Sequence, residues 1–147
     1  MKILIFGLPG SGKTTLAAEL AYKFHYPHYC ADTIREFHND WDFSEEGRKR
    51  QFQRMDYENW GILDFVCPKK YFRRRIYADY TIFMDTIKEG RYEDTNKLFE
   101  YPKPSEYDLR ITEWIGLNQL RCSWEDINPG TKGMESYLKE HLPKLVK

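Results

Sequence analysis

The sequence predicts an α/β domain of three layers, in which a five-stranded, mainly parallel sheet carries helices on both faces. Five short runs rich in β-branched and aromatic residues alternate with helical or polar segments, a pattern typical of parallel sheets with crossover helices. The 147 residues are 41% hydrophobic and 31% charged, which suffices for one core without disulfides or structural metal. We therefore predict a single domain over residues 1–147.

The first half of the chain contains two predicted strands and two predicted helices. Residues 2–6 form the first strand run, and a helical pattern follows a glycine-rich stretch. The apolar face of that helix has the spacing i, i+4, i+8 and consists of Leu16, Leu20 and Phe24. Pro27 ends the helix, and residues 26–30 are predicted as the second strand. Ser44 is the predicted N-cap of a polar helix over residues 44–59.

The second half continues the alternation. The predicted elements are, in order, strand 62–66, basic helix 69–76, strand 80–84, a loop or lid over about 86–106 with at most a turn of helix, strand 109–112, and a final amphipathic helix after Asn128-Pro129-Gly130. The third strand stops at Cys67-Pro68, because proline removes a backbone donor. The C-terminal third is rich in Trp and Tyr, which fits either a cap or an oligomer surface such as a homodimer.

Charge and cysteine content exclude several classes of protein. The 23 basic residues balance 23 acidic ones, which argues against a nucleic-acid or membrane-surface binder, since both need a basic excess. The apolar run at residues 3–6 is far too short to cross a bilayer. The three cysteines, Cys30, Cys67 and Cys122, form no C-x-x-C pair, and the four histidines show no metal-ligand spacing. We expect free thiols in a cytoplasmic protein.

One motif carries the chemistry. Between the first strand and the first helix stands Gly7-Leu8-Pro9-Gly10-Ser11-Gly12-Lys13-Thr14, which fits G-x-x-x-x-G-K-[ST], the phosphate-binding P-loop. The glycines let backbone N–H groups approach phosphate oxygens, and the helix adds its positive end. Lys13 is the predicted catalytic cation for ATP, and the Thr14 hydroxyl the predicted Mg²⁺ ligand. The predicted cofactor-binding residues are Gly10, Ser11, Gly12, Lys13, Thr14 and Thr15.

Phosphoryl transfer also needs a group that orients the acceptor. Asp32 follows the second strand, at the sheet edge where ligands collect. We predict Asp32 as the catalytic base or orienting residue and Arg35 as an anion clamp; helix capping and a surface arginine are the alternatives. Asp64 and Asp85 are further candidates for orienting a metal. Asp64 is expected inside its strand, and Asp85 serves equally well as a turn residue.

The residues around this motif resemble the adenylylsulfate kinases (APS kinases), P-loop kinases that phosphorylate the 3′-hydroxyl of adenosine 5′-phosphosulfate. Asp32-Thr33-Ile34-Arg35 is similar to the family's D-N-V-R segment, and residues 43–54 look like its F-S-x-E-D-R-x-E-N-I-R-R. The resemblance implies that Asp32 serves the acceptor hydroxyl and that Arg35 and Arg48 hold the phosphosulfate. It also implies that Phe43 stacks on the adenine, while Gln51 stands at the family's Asn position.

The lid departs from the family pattern, and Arg91 is the lid cation by position only. Together these features predict an ATP- and Mg²⁺-dependent kinase of a small anionic acceptor, with adenosine 5′-phosphosulfate first among the candidates. Two alternatives stay open. One is a P-loop kinase of another acceptor, such as a nucleotide, a polynucleotide 5′ end or a small metabolite, and the other is a nucleotide-binding protein without a kinase reaction.

Overall fold

A computed structural model of the chain describes residues 1–112. Its strands are β1 Lys2–Gly7, β2 His28–Cys30, β3 Gly61–Asp64, β4 Tyr80–Met84 and β5 Leu109–Ile111. Its α-helices are α1 Lys13–Phe24, α2 Ala31–His38, α3 Glu45–Asp56, α4 Lys70–Ile76 and α5 Glu93–Leu98, and a 3₁₀ helix spans Pro104–Glu106. The predicted C-terminal helix, the Trp- and Tyr-rich third and Cys122 lie outside the described residues.

The five strands form one parallel sheet in the order β2-β3-β1-β4-β5. β1 lies in the middle, with Ile5 beside Asp64 of β3 and Gly7 beside Met84 of β4. The segment that follows β1 therefore emerges between the carboxyl ends of two neighbouring strands, where ligands bind in open α/β sheets.

Alternation along β1 builds a core on each face of the sheet. Ile3 and Ile5 belong to one cluster, and Leu4 and Phe6 belong to the other, because successive strand residues point to opposite faces. The first cluster includes the predicted apolar face of α1, namely Leu16, Leu20 and Phe24. The second includes side chains of α3 and α4, namely Phe52, Met55 and Ile76. Helices thus cover both faces, and the predicted three-layer fold is confirmed.

The third strand is one correction to the sequence-based prediction. β3 ends at Asp64 and not at Val66, so Asp64 lies at the carboxyl end of the strand and not inside it. The reason is its neighbour: Cys30 pairs with Asp64 and is the last residue of β2. Beyond this point β3 has a partner only on the β1 side, where the Phe65 N–H still donates to the Ile5 carbonyl at 3.3 Å. Helix α2 follows β2 directly, although the sequence pattern predicts no helix there.

The lid segment is the second correction, since it is more regular than the loop with at most one helical turn that the sequence predicts. α5 begins with Glu93 and Asp94 in its first turn, which suits the positive end of a helix. The side chain of Asn96 accepts from the Gly90 N–H at 2.8 Å and donates to its carbonyl at 2.9 Å. Within residues 1–112, no helix is long and apolar enough to span a membrane.

Candidate active site

The glycine-rich segment of residues 7–14, which we call the phosphate loop, connects β1 to α1. Gly10 and Gly12 have φ angles of 88° and 99°, a left-handed conformation that glycine adopts without steric cost. Gly12 precedes α1 and has no side chain to cap it, and the first turn of α1 contains no acidic residue. The N–H groups of that turn are therefore suited to an anion. The exposed Thr14 and Thr15 lie in the same turn.

Lys13 is the buried cation of the site. Its side chain is 7% exposed, and Nζ donates to the Leu8 carbonyl of its own loop at 3.0 Å. Burial lowers the pKa of Lys13, and the charges of Asp64, Asp32 and Cys30 act in the opposite direction. The loop thus holds an ammonium group within the field of carboxylates from two other segments. The attraction between these opposite charges is stronger at a buried site than in water, because the effective dielectric constant is lower.

Asp64 is the functional candidate that sequence reasoning undervalued. It is 2% exposed, lies at the carboxyl end of β3 beside the phosphate loop, and its Oδ2 lies 3.0 Å from Nε2 of His28. A buried acidic residue at this place lies at the edge of the sheet where ligands bind in open α/β folds. The apolar residues Phe65 and Val66 extend the strand-like pattern beyond the actual end of β3. The sequence therefore predicts Asp64 inside the strand and not at its carboxyl end.

Asp32 lies where the sequence predicts, directly beyond β2. It is the second residue of α2 and is exposed. Its negative charge favours the protonated forms of Lys13 and Arg35 and so opposes the lowering of their pKa values by burial. Gln51 of α3 contacts the first residue of α2. It is 5% exposed, and its Nε2 donates to the Ala31 carbonyl at 2.9 Å. Gln51 therefore anchors α3 to the beginning of α2 and is buried away from the surface.

Three of the predicted acceptor residues come together around the loop before α3. The guanidinium carbon of Arg35 lies 4.3 Å from the centre of the Phe43 ring, and that of Arg48 lies 5.5 Å from it. Arg48 also donates from Nε to the Phe43 carbonyl at 2.9 Å. Arg35 is 4% exposed and lies under the loop, whereas half of the Phe43 surface is open to solvent. This cluster presents a flat ring flanked by positive charge.

The lid contacts the phosphate loop at its base. Thr86 donates from its hydroxyl to the Ser11 carbonyl at 2.6 Å, and a Cβ on Gly90 would lie 3.1 Å from Cδ of Pro9. Arg91 follows Gly90 and is exposed, with its guanidinium carbon 5.7 Å from the Tyr92 ring centre. The lid therefore begins against the loop, and within residues 1–112 Arg91 forms no ion pair with an acidic side chain.

Asp85 has a different environment from Asp64 although both residues mark the end of a central strand. Its Oδ2 accepts from Nε and Nη2 of Arg110 at 2.9 and 2.7 Å, and the Tyr101 hydroxyl donates to the same oxygen. Three donors thus converge on one carboxylate, which ties β4 to β5 and to the end of the lid. This contact set is that of a structural carboxylate.

The chain resembles known proteins over part of its sequence and in its fold. No protein-family model matches the chain. An adenylate kinase isoenzyme 6 homolog of Schizosaccharomyces pombe is 34% identical over 68 residues, which cover 46% of this chain and 36% of the relative. The chain thus matches about a third of the length of that curated relative.

Solved structures align over nearly the whole chain. Shikimate kinase of Aquifex aeolicus superimposes with a TM-score of 0.61, 13% identity and 99% coverage of both chains. A gluconokinase of Sinorhizobium meliloti gives 0.59 and 11% identity, with coverage of 97% and 94%. The APS kinase of Mycobacterium tuberculosis, solved with AMPPNP and APS, gives 0.57 and 18% identity, with coverage of 94% and 96%. The chain has the fold of the P-loop kinases.

Proposed function

We propose that the chain is a phosphotransferase that uses ATP with Mg²⁺ and transfers the γ-phosphoryl group to a small anionic acceptor. The observation that carries the proposal is the burial of Lys13 at the start of α1, within the field of the Asp64 and Asp32 carboxylates. A buried ammonium beside an uncapped helix start suits the phosphates of a nucleotide. The fold shared with kinases of three different acceptors supports the same reaction class.

The residues present fit Mg²⁺, which prefers oxygen ligands. Two oxygen donors are available there, namely the exposed Thr14 hydroxyl in the first turn of α1 and the Asp64 carboxylate, whose charge acts on Lys13. Magnesium would supply neutralisation of phosphate charge. Lys13 would hold the β- and γ-phosphates, and the backbone N–H groups of residues 10–15 would fix their positions.

Asp32 would receive the acceptor. In the transfer step the acceptor oxygen bonds to the γ-phosphorus as the bond to the β–γ bridging oxygen breaks, and ADP leaves. When the acceptor is a hydroxyl, its proton passes to the Asp32 carboxylate, which is exposed at the start of α2. The Arg91 guanidinium would approach the transferred group from the lid.

Adenosine 5′-phosphosulfate is the first candidate acceptor. The Phe43 ring would stack on the adenine, and Arg48 would meet the anionic end, since base stacking and guanidinium–anion pairing suit these side chains. Arg35 would contribute its charge from below the ring, because its Nη1 already donates to the carbonyls of Asp40 and Asp42. The partial match to an adenylate kinase homolog favours a second candidate, a nucleoside monophosphate.

Product-identified phosphoryl transfer tests the proposal. Purified protein is incubated with Mg·ATP and with adenosine 5′-phosphosulfate, AMP, shikimate or gluconate, and mass spectrometry identifies the product. We expect Lys13→Ala to reduce turnover at least about 100-fold, while Lys49→Ala, on the exposed face of α3, leaves it unchanged. Near-wild-type turnover in Lys13→Ala would remove the phosphate-loop mechanism.

Two further variants separate the acceptors. Asp32→Asn should abolish transfer to a 3′-hydroxyl, and it should affect transfer to the phosphate of AMP much less, because that acceptor has no proton to lose. Arg48→Ala should raise the KM for the anionic acceptor far more than the KM for ATP, and equal effects would remove Arg48 from the acceptor site. ATP binding without any product would leave the non-kinase nucleotide-binding alternative.

A further inference from the structure

Three side chains with different donor atoms meet on one face of the sheet beside the phosphate loop. His28 and Cys30 are alternate residues of β2 and therefore point to the same side. Asp64 is the partner of Cys30 in the parallel register with β3. One ligand atom from each of the three residues lies within 4.8 Å of the others, and Nε2 of His28 is 3.0 Å from Oδ2 of Asp64.

The donor set determines which cation this cluster suits. An imidazole nitrogen, a thiolate and a carboxylate oxygen together match Zn²⁺ and similar borderline-soft ions, whereas Mg²⁺ prefers oxygen alone. With bonds of about 2.0–2.3 Å to a tetrahedral zinc ion, donor atoms lie roughly 3.3–3.7 Å apart. The nitrogen–oxygen separation of 3.0 Å is close to this range, and the separations that involve the Cys30 sulfur are at most 4.8 Å, so small side-chain movements would bring the three donors to bonding distance of one ion.

We propose that His28, Cys30 and Asp64 form a three-ligand binding site for a thiophilic divalent cation of the Zn²⁺ class. Asp64 forms the buried floor of the site, and the half-buried His28 and Cys30 leave the fourth coordination position open to water or to a phosphate oxygen. Binding releases the Cys30 thiol proton to solvent. The site does not depend on the proposed kinase reaction, and its occupation would compete with magnesium for the Asp64 carboxylate.

Cobalt substitution gives a direct optical test. We expect one equivalent of Co²⁺ to produce a thiolate-to-cobalt charge-transfer band and the visible bands of tetrahedral Co²⁺, both displaced by Zn²⁺. Cys30→Ser should abolish the charge-transfer band, and His28→Gln should weaken cobalt binding at least about tenfold. The matched controls Cys67→Ser and His38→Gln should keep both properties. No band in the wild-type protein, or a band that survives in Cys30→Ser, would overturn the proposal.

Thiol alkylation tests the same site in the unaltered chain. Peptide mass spectrometry follows the reaction of Cys30 with iodoacetamide, with and without one equivalent of Zn²⁺. A metal-bound thiolate is a poorer nucleophile, so we expect Zn²⁺ to slow alkylation of Cys30 roughly tenfold or more and a chelator to restore the rate. An unchanged rate at saturating Zn²⁺ would show that Cys30 is not a ligand.

Discussion

The guanidinium of Arg35 holds the loop that ends at Phe43 from two sides. Its Nη1 donates to the carbonyl oxygens of Asp40 and Asp42 at 2.9 and 3.0 Å, and its carbon lies 4.3 Å from the Phe43 ring centre. Since Arg35 is 4% exposed, water cannot readily replace it as the donor to these carbonyls. The position of the ring in the proposed acceptor site therefore depends on a residue buried beneath it.

Arg35→Met tests this dependence on stability. Methionine keeps much of the apolar stem but leaves both carbonyls without their donor, so we expect a loss of about 2–3 kcal/mol in the free energy of unfolding. Urea denaturation measures it, and Lys49→Met, an exposed position on α3, should change stability by less than about 0.5 kcal/mol. Wild-type stability in Arg35→Met would mean that the loop keeps its shape without the guanidinium.

Gly47 is a second requirement for the shape of this loop. A Cβ at Gly47, in the first turns of α3, would lie 2.0 Å from the Asp42 carbonyl oxygen and 2.6 Å from its carbonyl carbon. We expect Gly47→Ala to destabilise the protein by about 1–3 kcal/mol despite the higher helix propensity of alanine, because backbone must move. The matched control is Lys49→Ala on the same helix, and equal urea midpoints for the two variants would contradict this expectation.

Substitution of Asp64 should mainly lower the rate of catalysis, whereas substitution of Asp85 should mainly lower the stability of the fold. We expect Asp64→Asn to lower kcat at least about 100-fold and to raise the Mg²⁺ concentration needed for half-maximal rate. Asp85→Asn should keep kcat within a few-fold but lower stability by about 1–3 kcal/mol, since it weakens the contacts with Arg110 and Tyr101. Phosphoryl-transfer kinetics and urea denaturation on both variants measure the two effects. A large loss of kcat in Asp85→Asn together with a near-wild-type kcat in Asp64→Asn would contradict this assignment.

The buried thiol of Cys67 should make the free energy of unfolding depend on pH in alkaline solution. Burial raises the pKa of the Cys67 thiol far above its ordinary value of 9.0. Above pH 9 the unfolded chain loses this proton and the folded protein retains it, so the free energy of unfolding falls by up to about 1.4 kcal/mol per pH unit. The lowered pKa of Lys13 has the opposite sign, because there the unfolded chain retains the proton.

Comparison with Cys67→Ala isolates the thiol contribution from that of Lys13. The stability difference between wild type and Cys67→Ala should be constant from pH 7 to pH 8 and should shrink as the pH rises above about 9. Denaturant titrations at four or five pH values measure it. A difference that stays constant through pH 10 would show that the thiol is not protected from ionisation in the folded protein.

Local patterns were sufficient where one segment determines its own structure. The apolar spacing of α1, the Ser44 N-cap and the motif between β1 and α1 could all be read from adjacent residues, and the Ser44 hydroxyl does accept from the Gly47 N–H. The end of β3 depends on where β2 stops, and the burial of Arg35 depends on a loop that folds back over it. Such features require knowledge of partners distant along the chain, which a linear pattern does not contain.

The central position of β1 has a consequence for how the protein is made. The phosphate loop lies at residues 7–14, yet the strand before it gains its neighbours only from residues 61–64 and 80–84. At a synthesis rate of roughly 5–20 residues per second, its apolar residues wait several seconds for those neighbours to be translated. In a nascent chain the core around β1 would therefore be completed in one late step, and a chaperone acting in that interval would meet residues 3–6.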